Sequence, residues 1–349
     1  MAVIFPLDKH TTNKDGALAA LLAEDARVIE TLMTERHHYG VMSSPLSNGT
    51  RPDITEEIIT HLIASGGKRL RALLTLASAY LCHYRGDVHY ALATCIELIH
   101  NATLLHDDVV DSSAMRRGKK TAHLIWGNKA SILVGDFMLA RAFQLMLRSD
   151  DSAIHHLMCE TASCIAEGEV MQLAHIGAIE STEHHYVEII TAKTARLFAT
   201  ACRIGAMLAK KSPSAQQALE SFGLNLGIAF QITDDILDYQ QGRMTLHKKS
   251  GNDFFEGKIT LPVILAFLRS DPIERQFWQR CLQERKAQQE DFPHAIHLIK
   301  KYHIDRDCLS RAQHYATIAK ESLSLFEKSP WRNALVQSVD DCLLRAENA

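Results

Sequence analysis

Glycine and proline are scarce in this sequence, 17 and 8 in 349 residues, well below the usual combined share of roughly 12%. That excludes collagen-like, low-complexity and disordered architectures. With 46% hydrophobic residues it predicts long uninterrupted helices around a large core. Charge of one sign is lacking too: 38 Lys and Arg stand against 41 Asp and Glu, a formal net charge of −3. With no surplus of positive charge to neutralise phosphates, a general nucleic-acid binder is excluded. No run of 18 or more apolar residues occurs, so no membrane-spanning helix is expected. The opening residues MAVIFPLDKHTTNKD lack a basic segment and carry only a short apolar run broken by Pro6. They are not read as a signal peptide, and a cytoplasmic location is expected. The 8 cysteines contain no C-x-x-C pair and are expected as reduced, mostly buried thiols.

What is present is helical periodicity. Residues 1–20 read as a loose tail ahead of one large all-α domain over 21–349, with no compositional break that would mark a linker. Leu18, Leu21, Leu22, Val28 and Leu32 recur at helical spacing, and 39–53, rich in Ser, Pro, Gly and Asn, is a loop. From Ile54 to about Leu147 the chain is helix-compatible, interrupted near 65–67, 84–87 and 114–120. Further helices are predicted over 152–176, 183–210 and 214–239, followed by a polar loop over 240–257. A helix resumes at 260–268 with Pro262 in its first turn. The last eighty or so residues are amphipathic, with Cys308, Ala312, Tyr315, Ala316, Ala319 and Leu323 on one face. No strand is predicted.

Two aspartate clusters stand out, LLHDDVVD ending at Asp111 and FQITDDILD ending at Asp238. Both are D-D-x-x-D. On a helix, positions i and i+4 share one face, so Asp107 pairs with Asp111 and Asp234 with Asp238. Each cluster follows an apolar run, which places the carboxylates at the rim of a buried helix. Such crowded like charges repel unless a cation holds them, and oxygen-only ligands suit Mg²⁺ bound together with substrate phosphates. Carboxylate rims alone leave di-metal hydrolase chemistry open. The cations decide: Lys68 and Arg71 follow the Gly66-Gly67 pair, Arg116-Arg117 follow the first acidic cluster, Lys193-Thr194 lie between the clusters, and Lys248 and Lys258 follow the second. Carboxylates interspersed with Lys and Arg describe a site for a diphosphate. Neither G-x-x-x-x-G-K-[ST] nor G-x-G-x-x-G occurs, which sets nucleotides aside.

GGKRLR, LLHDDVVD, RRG, GDFMLARAF, EGEVMQL, KT, FQITDDILD and GNDFFEGKITLP occur in this order. In that order they resemble the trans-type polyprenyl diphosphate synthases, over the chain from about residue 20 to its end. The likeness is greatest to the long-chain octaprenyl, solanesyl and decaprenyl diphosphate synthases of quinone side-chain synthesis. The resemblance implies the all-helical isoprenoid synthase fold around a central cavity, a homodimer, and three Mg²⁺ per site with substrate bound. It implies successive head-to-tail condensation of isopentenyl diphosphate onto an allylic diphosphate, with peripheral membrane contact for product release. It makes Asp107, Asp108, Asp111, Asp234, Asp235 and Asp238 the metal-binding set, with Asp107, Asp111 and Asp234 the strongest candidates for direct contact. It assigns Lys68, Arg71, His100 and Arg117 to isopentenyl diphosphate. Arg116, Lys193, Thr194, Gln231, Lys248 and Lys258 fall to the allylic diphosphate.

Product length is then a matter of room beside the helix carrying Asp107. Ala102 and Thr103 lie roughly one turn, about 5.4 Å, deeper, and Ile99 one turn further. Members that stop at short products carry bulky aromatics at the first level. Here both residues are small, which implies a long product with a floor formed by Met138 or Phe143. Among the 19 histidines only His100 is assigned a binding role; His106 reads as structural, and His123, His155, His156, His184 and His185 as surface or packing residues. Where the family usually has proline this chain has Ala72 and Lys120, and Asn252 replaces a common acidic residue. Besides a shorter-chain synthase, three other readings fit the motifs less well. A terpene cyclase would not keep the second D-D-x-x-D, a regulatory subunit would lose aspartates, and a helical scaffold would leave the paired charges unexplained.

Overall fold

The computed structural model describes residues 16–34, 54–240 and 251–347. The scarcity of Gly and Pro has the expected result, a chain of helices joined by short turns. Helices α1 (Ala17–Leu21), α2 (Ala23–Thr34) and α3 (Ile54–Ala64) lead into α4 (Leu70–Leu81) and the long α5 (Val88–Val110). A hairpin of two-residue strands, β1 (Met115–Arg116) and β2 (Lys119–Lys120), follows. It is the only sheet among the described residues, and sequence periodicity misses it because two residues carry no alternation. Then come α6 (Ala122–Trp126), α7 (Asn128–Met146), α8 (Ser152–Ala174), α9 (Glu183–Ile190), α10 (Arg196–Leu208) and α11 (Pro213–Asp238). The chain closes with α12 (Asn252–Phe255), α13 (Leu261–Arg269), α14 (Pro272–Trp278), α15 (Asp291–Lys301), α16 (Ile304–Ser322) and α17 (Pro330–Glu347).

Two long helices organise the rest. α5 packs on α4 and α7, and α11 packs on α10, α16 and α17, with α10 lying between α4 and α11. The first apolar cluster, including Leu92, Ile96, Phe198 and Phe222, fills the space among α4, α5, α7, α10 and α11. A second gathers Phe254, Trp278, Leu298 and Ile304 under the far end of α11. The predicted face of α16 is buried from Cys308 through Ala312, Ala316 and Ala319 to Leu323 beyond it. Six cysteines are buried, Cys164 is half-buried and Cys159 exposed, all as free thiols.

Three details depart from expectation. Ala17–Leu21 is helical, within the stretch expected as a loose tail, because Leu18, Leu22, Ile29 and Met33 form a buried stripe while Leu21 and Val28 face outward. Part of the expected polar loop is α12, whose Phe254 enters the second cluster; residues 241–250 lie outside the described residues. Between α9 and α10 the helix widens into a π turn over Thr191–Ala195, a feature often found at functional sites.

A carboxylate of α2 ties it to α4 and α5. Asp25 accepts hydrogen bonds from Tyr80 Oη at 2.8 Å and Tyr90 Oη at 2.6 Å, and the Tyr80 ring lies 4.7 Å from Trp331 at the start of α17. Replacing Asp25 with Ala leaves one of the two half-buried phenols without an acceptor, since Tyr80 and Tyr90 also meet at 3.1 Å. The expected cost is about 1–3 kcal/mol, read as a lower urea midpoint with unchanged slope.

Candidate active site

α5 and α11 both end in aspartates. The C-terminal end of a helix is the negative end of its dipole, so these carboxylates stand where the backbone disfavours them and require compensating donors. The structure supplies one for each. Asp107 Oδ2 lies 3.5 Å from Lys193 Nζ, Asp111 accepts from Lys258 at 2.7 Å, and Asp234 from Arg345 at 3.1 Å. Asp108, 2% exposed, is held by Arg116 through Nε at 2.9 Å and Nη2 at 2.8 Å. Burial pushes its carboxyl up, and Arg116 pulls it back. Asp235 is buried and accepts from Tyr186 Oη at 2.6 Å and Gln231 Nε2 at 2.8 Å. Asp238, also buried, accepts from the Asp253 backbone N–H at 2.9 Å.

The six aspartates therefore separate into two kinds. Asp107, Asp111 and Asp234 meet long, flexible cations that a ligand can draw away. Asp108, Asp235 and Asp238 are tied into the fold by Arg116, by Tyr186 with Gln231, and by the first turn of α12. Arg116, expected at the allylic diphosphate, is turned to Asp108. No three carboxylate, imidazole or thiol side chains converge as a metal cage among the described residues. That donor set fits an ion such as Mg²⁺, which binds through one or two carboxylates plus substrate phosphates.

Lys193, Thr194, Gln231 and Lys258 line a single cavity of about 120 Å³ together with Tyr186 and Asp235. Thr194 donates to Gln231 Oε1 at 2.9 Å, continuing the chain of bonds from Tyr186 through Asp235. The π turn brings Lys193 against α8 at Gly168, where a Cβ would lie 2.7 Å from the Lys193 backbone nitrogen. This close approach lets Glu169 accept from Lys193 Nζ at 2.7 Å. Burial and the neighbouring Asp107 raise the Glu169 carboxyl to about 7 against the pull of Lys193. Lys258 is held at 2.8 Å by Glu256 as well as by Asp111, and its surrounding carboxylates raise its pKa despite burial. Lys248 lies outside the described residues.

Across the site, the Gly66-Gly67 turn carries φ values of 78° and 146°, open to glycine and strained for other residues. Arg117 donates from the hairpin to the Gly66 carbonyl, and Lys68 is exposed on the same turn. The Arg71 guanidinium lies 4.5 Å over the Phe198 ring, and its Nη1 meets His100 Nε2 at 3.0 Å. Arginine is always a donor, so His100 accepts with Nε2. Burial, then Arg71, Arg117, Arg116 and Arg69, hold this imidazole neutral, well below its ordinary pKa. Burial also brings Arg71 down to about 10. His106 is structural, its Nε2 3.1 Å from the Ile132 carbonyl.

Below Asp107, Ile99 and Ala102 are buried against the first cluster and Thr103 is half-buried, donating to the His100 carbonyl at 2.8 Å. Met138 is buried in that cluster, whereas Phe143 is 41% exposed on another face of α7, so of the two only Met138 is placed to form a floor. Sequence reasoning missed Glu169, Arg345, Tyr186 and Glu256. Glu169 sat in a quoted motif without a role, and Arg345 lies far along the chain with no local pattern to mark it.

A profile of the family described as polyprenyl synthetase matches residues 52–299. Octaprenyl diphosphate synthase of Escherichia coli (strain K12) is 39% identical over 278 residues, 79% of this chain and 85% of that protein. A decaprenyl diphosphate synthase structure from Rhodobacter capsulatus superposes with a TM-score of 0.86 at 40% identity, covering 94% of this chain and 98% of that one. A polyprenyl synthase from Caulobacter crescentus CB15, complexed with calcium and isoprenyl diphosphate, gives 0.85 at 42% identity over 95% and 99%.

Proposed function

The chain belongs to the polyprenyl synthetase family, and from that premise we propose that it elongates an allylic diphosphate with isopentenyl diphosphate to a long-chain all-trans polyprenyl diphosphate. The observation that carries the reading is the sorting of the aspartates: Asp107, Asp111 and Asp234 meet the flexible cations Lys193, Lys258 and Arg345, of which Lys193 and Lys258 also line the cavity. The relatives' long-chain products support the length assigned here.

Lys193, Thr194, Gln231 and Lys258 hold the allylic diphosphate in their shared cavity. Lys68, Arg71 and Arg117 hold isopentenyl diphosphate on the opposite side, with neutral His100 fixing Arg71. Asp107, Asp111 and Asp234 would hold Mg²⁺, three ions with substrate bound, which would supply positive charge to the departing diphosphate. Lys193 and Lys258 turn from their carboxylates to the leaving oxygens and stabilise them as the allylic C–O bond breaks. The apolar wall of α5 keeps water from the cation. The isopentenyl double bond attacks it, and the proton lost as the new allylic double bond forms passes to the released diphosphate. The test is incorporation of labelled isopentenyl diphosphate with farnesyl diphosphate and Mg²⁺. Incorporation that stops on chelation and returns on adding Mg²⁺ supports the reading, and metal-independent incorporation contradicts it.

α7 supports a homodimer. Its outer face exposes Leu133 at 65% and Leu147 at 64%, with Ile132, Phe137 and Phe143 beside them, and Val170 and Leu173 are exposed on α8. A contiguous apolar face of this kind marks an association surface, and in this family we assign it to a second copy. Phe137→Glu combined with Leu133→Glu is expected to give a monomer by light scattering, where the parent gives a dimer. No described helix is long and apolar enough to cross a membrane; we assign release of the apolar product, destined for a quinone side chain, to peripheral membrane contact.

A further inference from the structure

We propose that Glu97 is a positioning residue for isopentenyl diphosphate, acting through Arg69 and touching no substrate. This rests on the reading above that Lys68, Arg71 and Arg117 hold that diphosphate. Glu97 faces inward from the middle of α5 and is 3% exposed. A carboxylate so placed persists only with a charge partner. That partner is Arg69, itself 6% exposed, with Nη1 at 3.6 Å. Asn101 steadies Glu97, donating to its carbonyl at 2.7 Å and reaching Oε1 at 3.5 Å.

Arg69 stands between Lys68 and Leu70 with a φ of 47°, a left-handed conformation that a residue with a side chain rarely adopts. Its guanidinium is anchored on three sides. It donates to the Ile63 carbonyl of α3 at 3.3 Å, faces Glu97 of α5, and lies 3.8 Å from Glu30 of α2. The side chain thus holds the backbone in a conformation it would otherwise leave, and that backbone sets how Lys68 and Arg71 emerge from the turn. Glu97 acts on the same cations through its charge. It opposes the burial that lowers Arg71 and supports the charge on Arg117. Its charge offsets the mutual repulsion of Arg69, Arg71 and Arg117.

Three variants test this: Glu97→Gln removes the charge, Glu97→Asp keeps it, and Arg69→Gly removes the anchor while accepting the left-handed backbone without strain. Each is assayed for KM of isopentenyl diphosphate, KM of farnesyl diphosphate, and hydrolysis of farnesyl diphosphate alone. Glu97→Gln and Arg69→Gly are expected to raise the KM for isopentenyl diphosphate about tenfold or more while that for farnesyl diphosphate stays within about twofold. Hydrolysis of farnesyl diphosphate should persist, and Glu97→Asp should recover most of the loss. Equal losses for both substrates, or an unchanged KM for isopentenyl diphosphate, would overturn the proposal. If Glu97→Gln does not fold, Arg69→Gly and Glu97→Asp decide between the same outcomes. A parent protein that elongates nothing would instead defeat the underlying reading.

Discussion

Asp107→Asn will lower kcat for condensation by about 10²–10³-fold and leave the melting temperature nearly unchanged, while Asp108→Asn will do the reverse to stability. The two residues are adjacent, and only their environments differ. Asp107 is half-buried, and its carboxylate lies 3.5 Å from a lysine that it shares with Glu169. Removing its charge costs the fold little and removes an oxygen donor for the metal. Asp108 is the buried end of a two-bond pair with Arg116. Breaking a buried pair from one side leaves the other charge uncompensated, which typically costs 3–5 kcal/mol; because Arg116 keeps some solvent contact, the lower end, about 3 kcal/mol, is expected. Steady-state kinetics and a thermal melt on both variants separate these effects. Equal loss of activity with equal stability in the two would mean that the sorting of the carboxylates has no functional meaning.

Ala102→Tyr will shorten the product. α5 runs from Val88 to Val110 with the aspartates at its end, so a tail descending along it passes Ala102 and Thr103 before reaching Ile99. Roughly one turn, about 5.4 Å, below Asp107, an aromatic ring there is expected to stop growth at about three or four isoprene units where the parent reaches about eight or more. Ala102 is fully buried, so the added volume also strains the packing by about 1–3 kcal/mol. Thr103→Tyr, at a half-buried position, is expected to shorten the product at smaller cost in stability. Chromatography of the dephosphorylated products reads both. Unchanged lengths would place the tail elsewhere.

Much of this was legible in the sequence because it rests on helical geometry. The breaks near 65–67, 84–87 and 114–120 fall between helices as expected, and the i, i+4 spacing puts Asp107 and Asp111 together at the rim. The same geometry already holds the inward turn of Asp108 and Asp235, since consecutive helical residues point about 100° apart. What it does not hold is contact across the chain. Asp238 shares the helical face of Asp234 yet is buried, because the chain just before and within α12 folds back onto it. Arg345 reaches Asp234 from 111 residues away. Arg69, just before α4, and Glu97, within α5, are 28 positions apart, and nothing local in either segment announces their pairing. Lys193 lies near Glu169 because Gly168 admits the π turn, a consequence of one missing side chain.

The central claim is that this site builds a long chain. Labelled isopentenyl diphosphate supplied in excess over farnesyl diphosphate, with Mg²⁺ and the unaltered protein, tests it most directly through the length of the final product. Accumulation at about eight or more isoprene units is expected, given the small side chains of Ala102 and Thr103 one turn below the aspartates. A product that stops at geranylgeranyl diphosphate, or no elongation at all, would contradict it.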